Sequence, residues 1–334
     1  MADSGSVFSA ADVDLDVSLD ADHRLFLRCS LPLLKSRNAG VVLAVCSLHY
    51  YCGTQSDSTG MSVGKALVRI LRNAREIQFV VLKAIRNMCR ERPEIFVPCL
   101  ADFFIKSTDP YFCRKLKLEV LTSLAVPENC QQILRELQSY ILHSDKKFVC
   151  DTIAAVGRVA DSQADTADRC IQGLLSLVQL SQHQEVVAAA VTVARHMIQQ
   201  NSLDGTLRSA AIKILVRQLL MDYSVNPHGA GDLGGEDEDN NEGGPEISAP
   251  LLPTAKASIL WIVGEYYQVS APVLQDPAPD LLRIVTANFM GESQEVKQQA
   301  LHLAVKLVLN RPDDQYIAQL AGHVLELARS APSF

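Results

Sequence analysis

The sequence predicts an all-α protein, an alpha-solenoid of about seven stacked helix pairs. Three observations lead there. Apolar residues recur with helical rather than strand periodicity, polar turns open helices at a nearly constant interval, and breakers divide those helices into pairs. Composition agrees, with 48% hydrophobic and only 6% aromatic residues in 334, including one Trp, so the core must be aliphatic. Such numbers exclude wholesale disorder and a collagen-like fibre.

The periodicity is clearest in four stretches. Ile77, Val80, Val81, Ala84, Ile85 and Met88 share one helix face by the i, i+3, i+4, i+7 rule. Leu118, Leu121, Leu124 and Ala125 form a second set, Ile153, Val156, Gly157 and Ala160 a third, and Val296, Ala300, Leu303, Ala304 and Leu307 a fourth. Positions just inside successive helix starts are Arg37, Arg75, Pro110, Lys146, Gln184, Ala255 and Gln294, at steps of 38, 35, 36, 38, 71 and 39. The long step is one repeat plus an insertion. A period of about 37 lies near those of HEAT and armadillo units, at roughly 40–47, and of TPR, at 34. The TPR signature W-x-x-L-G-x-x-Y is absent, so the pairs are expected to be HEAT/armadillo-like.

The second helix of each pair is expected near 61–72, 95–105, 129–143, 166–180, 207–221, 279–289 and 313–328. Gly53 and Gly60, Pro93, Pro127, Asp161–Asp165, Asn201–Gly205, Pro272 and Pro277, and Pro312 separate the pairs. At Asp109-Pro110 the carboxylate is expected to accept from the first free N–H groups of a helix, and proline tolerates the first helical position. A lone pair cannot bury its apolar face, whereas stacked neighbours can.

Charge divides the chain further. Residues 1–22 carry six Asp and no Lys or Arg, and are expected to be an acidic disordered N-terminus. Solenoid is expected over 23–221 and again over 254–330. Between them, 222–253 holds eight acids, no Lys or Arg, six Gly and four Pro, and reads as an acidic disordered loop. With a net charge of −7, the rest of the chain then carries +1. Residues 61–117 hold twelve basic and five acidic residues, a net of +7.

The basic segment is the best binding candidate. Lys65, Arg69 and Arg72 fall at i, i+4, i+7 on one helix face, and Lys83, Arg86 and Arg90 at i, i+3, i+7 on another. Adjacent stripes could attract acidic lipid headgroups or an acidic partner. The plainer alternative is a solvated outer face, which needs charges in any case. Nucleic acid ranks lowest, because few aromatics interleave with these charges and the pI of 5.6 is far from a basic footprint.

Catalytic, cofactor and metal motifs are not found. Gly229-x-Gly231-x-x-Gly234 matches a dinucleotide fingerprint in letters only. It lies in the acidic loop, and Glu236 to Asp239 would repel a pyrophosphate. Gly64-Lys65 is followed by Ala66 rather than a hydroxyl, so it is not a P-loop. The nine Cys are odd in number and form no C-x-x-C, which reads as reduced, mostly buried thiols rather than a zinc site. The eight His stand singly. Neither a secretory signal nor an apolar run of transmembrane length is visible.

Several segments in order resemble the trunk of beta-adaptins. They are Asp22-His23-Arg24-Leu25, Leu33 to Val42, Arg75-Glu76-Ile77-Gln78, Ser107-Thr108-Asp109-Pro110 with Leu116-Lys117-Leu118-Glu119, Gly157-Arg158, and Ala257 to Glu265. The S-T-D-P and L-K-L-E forms are most similar to the beta subunit of adaptor protein complex 3. The resemblance implies a non-enzymatic scaffold subunit of a heterotetrameric vesicle coat. Its implied partners are delta, mu and sigma subunits, with a small GTPase and acidic lipids at the membrane. It implies a peripheral location on Golgi, endosomal and coated-vesicle membranes, and transport toward lysosome-related organelles. Against that family the sequence is expected to begin in mid-trunk and to lack the hinge and ear, and the acidic insertion is outside the family pattern. The alternatives are another HEAT-repeat scaffold: coatomer, a clathrin-adaptor beta subunit, or an importin-like binder, against which the single Trp argues.

Overall fold

The structure, a computed structural model, describes residues 19–53, 56–73, 75–200, 204–225, 250–270 and 277–330. Among these residues the regular elements are all helical. Helix α1 is Ala21–Ser30, followed by a 3₁₀ turn at Leu31–Lys35. Then come α2 Ala39–Cys52, α3 Asp57–Ile70, α4 Arg75–Glu91, 3₁₀ turns Pro93–Ile95 and Val97–Phe103, α5 Tyr111–Ser123 and α6 Cys130–Ile141. The second half contains α7 Lys146–Ser162, α8 Ala164–Leu180, α9 Gln184–Gln199, α10 Gly205–Val225, α11 Pro253–Ser270, α12 Pro277–Ala287, α13 Gln294–Asn310 and α14 Gln315–Ser330. The chain divides into two compact units, one up to Glu136 and one from Leu137 onward.

Helix starts fall where side chains can take up free N–H groups. Asn38 Oδ1 accepts from the Gly40 and Val41 amides at 2.9 and 3.4 Å. Ser56 serves α3, Asp145 serves α7 and Ser293 serves α13 in the same way. The turns at Asn38, Asp145 and Ser293 are among those whose spacing set the repeat, and Ser56 opens a second helix.

In the first unit, α4 packs along α5, and α3 packs on α2, α4 and the 3₁₀ turns that follow α4. Its core is Leu67, Leu82, Ile85, Met88, Phe96, Phe103, Leu118, Leu121 and Leu124, all fully buried. In the second unit the first helices of successive pairs stack in one layer, α7 on α9, α9 on α11 and α11 on α13. The second helices form another layer, α8 on α10, α10 on α12 and α12 on α14. Phe148, Ile153, Val191, Ile259, Phe289 and Leu303 lie between the layers.

The structure departs from expectation at five places. The second helix expected near 95–105 is a pair of 3₁₀ turns with non-helical dihedrals at Cys99 (φ −105°, ψ 17°). Pro93 and Pro98 each stand in the first turn of one of these segments, where proline is tolerated, and each disfavours α-helical dihedrals at the residue before it, which divides the stretch into short turns. Ile95, Phe96, Leu100 and Phe103 still fill the helix's place in the core. Val80, assigned to the buried face of α4, is 51% exposed. The acidic N-terminal segment ends in helix, since Asp22 lies in the first turn of α1. The acidic loop is shorter at both ends. Helix α10 continues to Val225 with Asp222 and Tyr223 buried, and α11 begins at Pro253. Residues 1–18 and 226–249, with the G-x-G-x-x-G, lie outside the described residues. Finally, Asp109 does not open α5. Pro110 holds that position, and the Asp109 carboxylate turns elsewhere.

Two glycines inside helices are set by close approach to a neighbouring element. A Cβ on Gly157 of α7 would lie 2.6 Å from Val193 Cγ1 of α9. A Cβ on Gly64 of α3 would lie 2.9 Å from both Cγ2 and the carbonyl oxygen of Ile95.

Candidate functional site

The six basic residues singled out lie on α3, at its end, and on α4, in the first unit, and they divide into two groups. Arg69 donates to the carbonyls of Leu34, Lys35 and Ser36 at 2.6, 3.4 and 3.1 Å, closing the end of the preceding 3₁₀ turn. Arg72 pairs with Asp102 at 3.3 Å, and Arg86 on α4 pairs with Glu119 on α5 at 3.1 Å. Lys65, Lys83 and Arg90 are exposed and hydrogen-bond to nothing among the described residues. Arg69 and Arg86 thus tie neighbouring elements together, Arg72 makes an exposed pair with its side chain 78% exposed, and the other three present charge to solvent.

Beside Lys83 an aromatic pair is exposed that periodicity did not reveal. Phe79 of α4 and Phe112 of α5 meet edge to face at 5.4 Å, 37% and 47% exposed. Phe79, Lys83, Arg86 and Arg90 share one face of α4, so the charge and the rings belong to one surface.

The segments that carried the resemblance have structural roles. Asp109 and Lys117 form a buried ion pair at 2.6 Å, with side chains 7% and 4% exposed. Asp109 also accepts from the Lys106 amide at 2.9 Å, and Lys117 donates to the Phe104 carbonyl at 3.2 Å. The pair fixes the turn before α5, while Arg114 donates to the Asp109 and Ser107 carbonyls. Gln78 donates to the Leu71 carbonyl at the end of α3. On α11, Trp261 lies under both Arg195 of α9 and Lys306 of α13, each 5.8 Å from its ring centre. Lys306 also reaches Glu265 at 2.5 Å.

A second buried charge group was not visible in the sequence. Lys256 of α11 lies 3.0 Å from Asp222 of α10 and 3.2 Å from Glu292, and 4.6 Å from the Tyr223 ring centre. Asp222 also accepts from the Leu251 amide at 2.9 Å, so the two ends of the acidic insertion are pinned together. Burial, then the Glu292 carboxylate, push the Tyr223 phenol upward. The signal missed was a lone Lys at the start of a helix whose stretch from Ile259 to Gly264 is entirely apolar.

Chemistry of other kinds finds little support in the geometry. Among the described residues no three His, Cys, Asp or Glu side chains gather to hold a metal ion. All nine cysteines are free, and burial pushes the Cys46 and Cys89 thiols up to about 12, far from thiolate reactivity. No described helix is long and apolar enough to cross a membrane. Two open cavities stand out. One, of about 630 Å³, is lined by Tyr50, Tyr51, Asp57, Glu91, Arg92 and Glu94 in the first unit. The other, of about 480 Å³, lies between α9, α11 and α13, with Arg195 and Glu295 at its edge.

The family model described as "Adaptin N terminal region" matches residues 11–333, nearly the whole chain. The chain belongs to the adaptin family. AP-3 complex subunit beta of Dictyostelium discoideum is 38% identical over 310 residues, covering 90% of this chain and 27% of that protein. AP-3 complex subunit beta-1 of Homo sapiens is 35% identical over 309 residues, covering 91% and 25%. AP-1 complex subunit beta of Dictyostelium discoideum is 30% identical over 305 residues, covering 89% and 28%. The adaptin chain thus spans about a quarter of the length of these relatives. Its fold matches a chain of "Homology model of the full-length AP-3 complex in an intermediate open conformation". That match has a TM-score of 0.68 at 23% identity and covers 95% of this chain and 50% of the other. The all-α, HEAT/armadillo-like alpha-solenoid expected from the sequence is the fold of this adaptin.

Proposed function

We propose that this adaptin segment is a non-enzymatic scaffold in a heterotetrameric vesicle coat of the adaptor complex 3 type, serving vesicle-mediated transport from Golgi or endosomes toward lysosome-related organelles. One observation carries the reading: relatives with the name AP-3 complex subunit beta are 35–38% identical over nine-tenths of the chain. Its partners on this reading are delta, mu and sigma subunits, held by repeat surfaces through shape and charge. It acts at the cytoplasmic face, peripheral to Golgi, endosomal and vesicle membranes, where a small GTPase and acidic headgroups recruit the coat. A clathrin-type adaptor is the second reading, favoured by the 30% identity to AP-1 complex subunit beta. Co-expression with the delta, mu and sigma subunits of adaptor complex 3, and separately with the other subunits of adaptor complex 1, separates the two by which set co-migrates on size exclusion. Co-migration with neither set sinks both.

The membrane-facing or partner-facing surface on this reading is the basic one, and its working residues are Lys65, Lys83 and Arg90. Arg69 and Arg86 support it through their carbonyl and carboxylate partners, and Arg72 adds an exposed, paired charge. Reversing Lys65, Lys83 and Arg90 to Glu lowers flotation with phosphatidylserine vesicles about tenfold or more, at roughly 1 kcal/mol per cation near the surface. Unchanged flotation returns these residues to the role of solvated surface.

A further inference from the structure

The cavity in the first unit has the chemistry of a cation receptor. Its walls are two aromatic rings on the last turn of α2. Tyr50 and Tyr51 stand at 84° with centres 4.9 Å apart, and Tyr51 is 66% exposed. Tyr50 is fixed in place, since its hydroxyl donates to Glu91 Oε2 at 3.0 Å and lies 3.3 Å from the Met88 carbonyl. The rest of the lining is Asp57, Glu91, Glu94 and Arg92. Arg92 is already engaged by Glu94 at 3.1 Å, which leaves the lining with a net charge of −2. Helices α2 and α4 both end here, at Cys52 and Glu91, and α3 begins here at Asp57, so the two negative C-terminal poles outweigh one positive N-terminal pole. Burial, then Glu91, raise the Tyr50 phenol, so its hydroxyl keeps its proton and donates it to Glu91.

An aromatic corner rimmed by carboxylates suits a cation that is also planar. The ring faces attract positive charge and the carboxylates accept its N–H groups. A bare metal ion fits poorly, because the acids do not converge on one point. The chain itself stacks guanidinium groups on rings elsewhere, Arg208 on Tyr266 at 5.5 Å and Arg195 on Trp261 at 5.8 Å. At about 630 Å³ the cavity has room for a side chain and for the backbone that flanks it.

We infer that the cavity between the end of α2 and the end of α4 receives an arginine side chain from a partner polypeptide, laid against the exposed face of the Tyr51 ring beside Tyr50 and paired with Asp57 and Glu91. The inference stands apart from the proposed function, since it uses neither the family match nor the basic surface.

The test is ¹³C NMR of the full chain with ring-labelled tyrosine, titrated with a blocked Gly-Arg-Gly tripeptide. The Tyr50 and Tyr51 signals, assigned from Tyr50→Phe and Tyr51→Phe, shift saturably while the other six of the eight tyrosines do not. The citrulline tripeptide, the same shape without the charge, leaves them in place. Asp57→Asn with Glu91→Gln weakens the arginine titration about tenfold and keeps the fold, because both side chains are exposed and the amide oxygen brought in by Glu91→Gln still accepts the Tyr50 hydroxyl. Raising salt on the unaltered chain weakens it too. Unmoved Tyr50 and Tyr51 signals, equal shifts with citrulline, or indifference to both salt and the double substitution overturn the inference.

Discussion

His49 is buried at the end of α2, with its Nε2 3.0 Å from Ser30 Oγ, and burial lowers its pKa below the ordinary 6.5. The unfolded chain therefore binds a proton at a higher pH than the folded one. Stability from this residue is complete above 6.5 and declines as pH falls below it toward the lowered folded value. Urea midpoints measured from about pH 7.5 down to about pH 5.5 fall for the unaltered chain and fall less steeply for His49→Gln. Equal slopes would remove His49 from the account. At this scale the sequence was a partial guide. Asp109 announced itself as polar and close to a helix start, yet its partner is Lys117 eight residues on, inside the core. Helical periodicity assigns Lys117 to no particular partner, and only packing shows that the two charges are buried together. Arg69 likewise looked like surface charge, and its carbonyl partners come from a turn more than thirty residues earlier.

Helices were far more legible than contacts. All seven first helices begin within two residues of the marked positions, and three of them are opened by side-chain caps, Asn38, Asp145 and Ser293, which are local chemistry. Proline chemistry was legible too but was underweighted at 93 and 98, where the expected helix became 3₁₀ turns. Close approach between helices leaves only a glycine as its trace. Gly157→Ala forces a Cβ against Val193, and an overpacked contact of this kind costs about 1–3 kcal/mol, more than the gain in helix propensity. Gly173 on α8 has nothing within 4 Å of a Cβ, so Gly173→Ala gains about 0.5–1 kcal/mol. Thermal unfolding of the pair decides the matter, and stabilisation by both substitutions would contradict the packing of α7 on α9. The insertion is an element-scale feature as well. Asp222 and Leu251 fasten its ends. Replacing 226–249 with a linker a quarter as long then leaves the helices intact and stabilises them by about 1 kcal/mol, two halvings of a closed loop. Loss of helicity on circular dichroism would show that the insertion contributes to the repeat.

For the whole molecule, the arithmetic of the repeat gave the architecture, since a period of about 37 with paired breakers admits few other folds. The candidate surface was legible as net charge but not as geometry. Which cations are spent internally, and which rings stand beside the remaining ones, depends on how α4 lies on α5. Function came from neither source alone. Among the described residues no cluster of metal-ligating side chains marks a site, and the functional reading rests on the relatives that the chain resembles. The measurement that tests the scaffold claim most directly is affinity purification of the tagged chain from its own cells, with mass spectrometry of the co-eluting proteins. The account predicts delta, mu and sigma adaptor subunits in stoichiometric amounts. Recovery of the chain without them, from cells that contain the complex, would contradict it and leave the family membership as a statement about the fold.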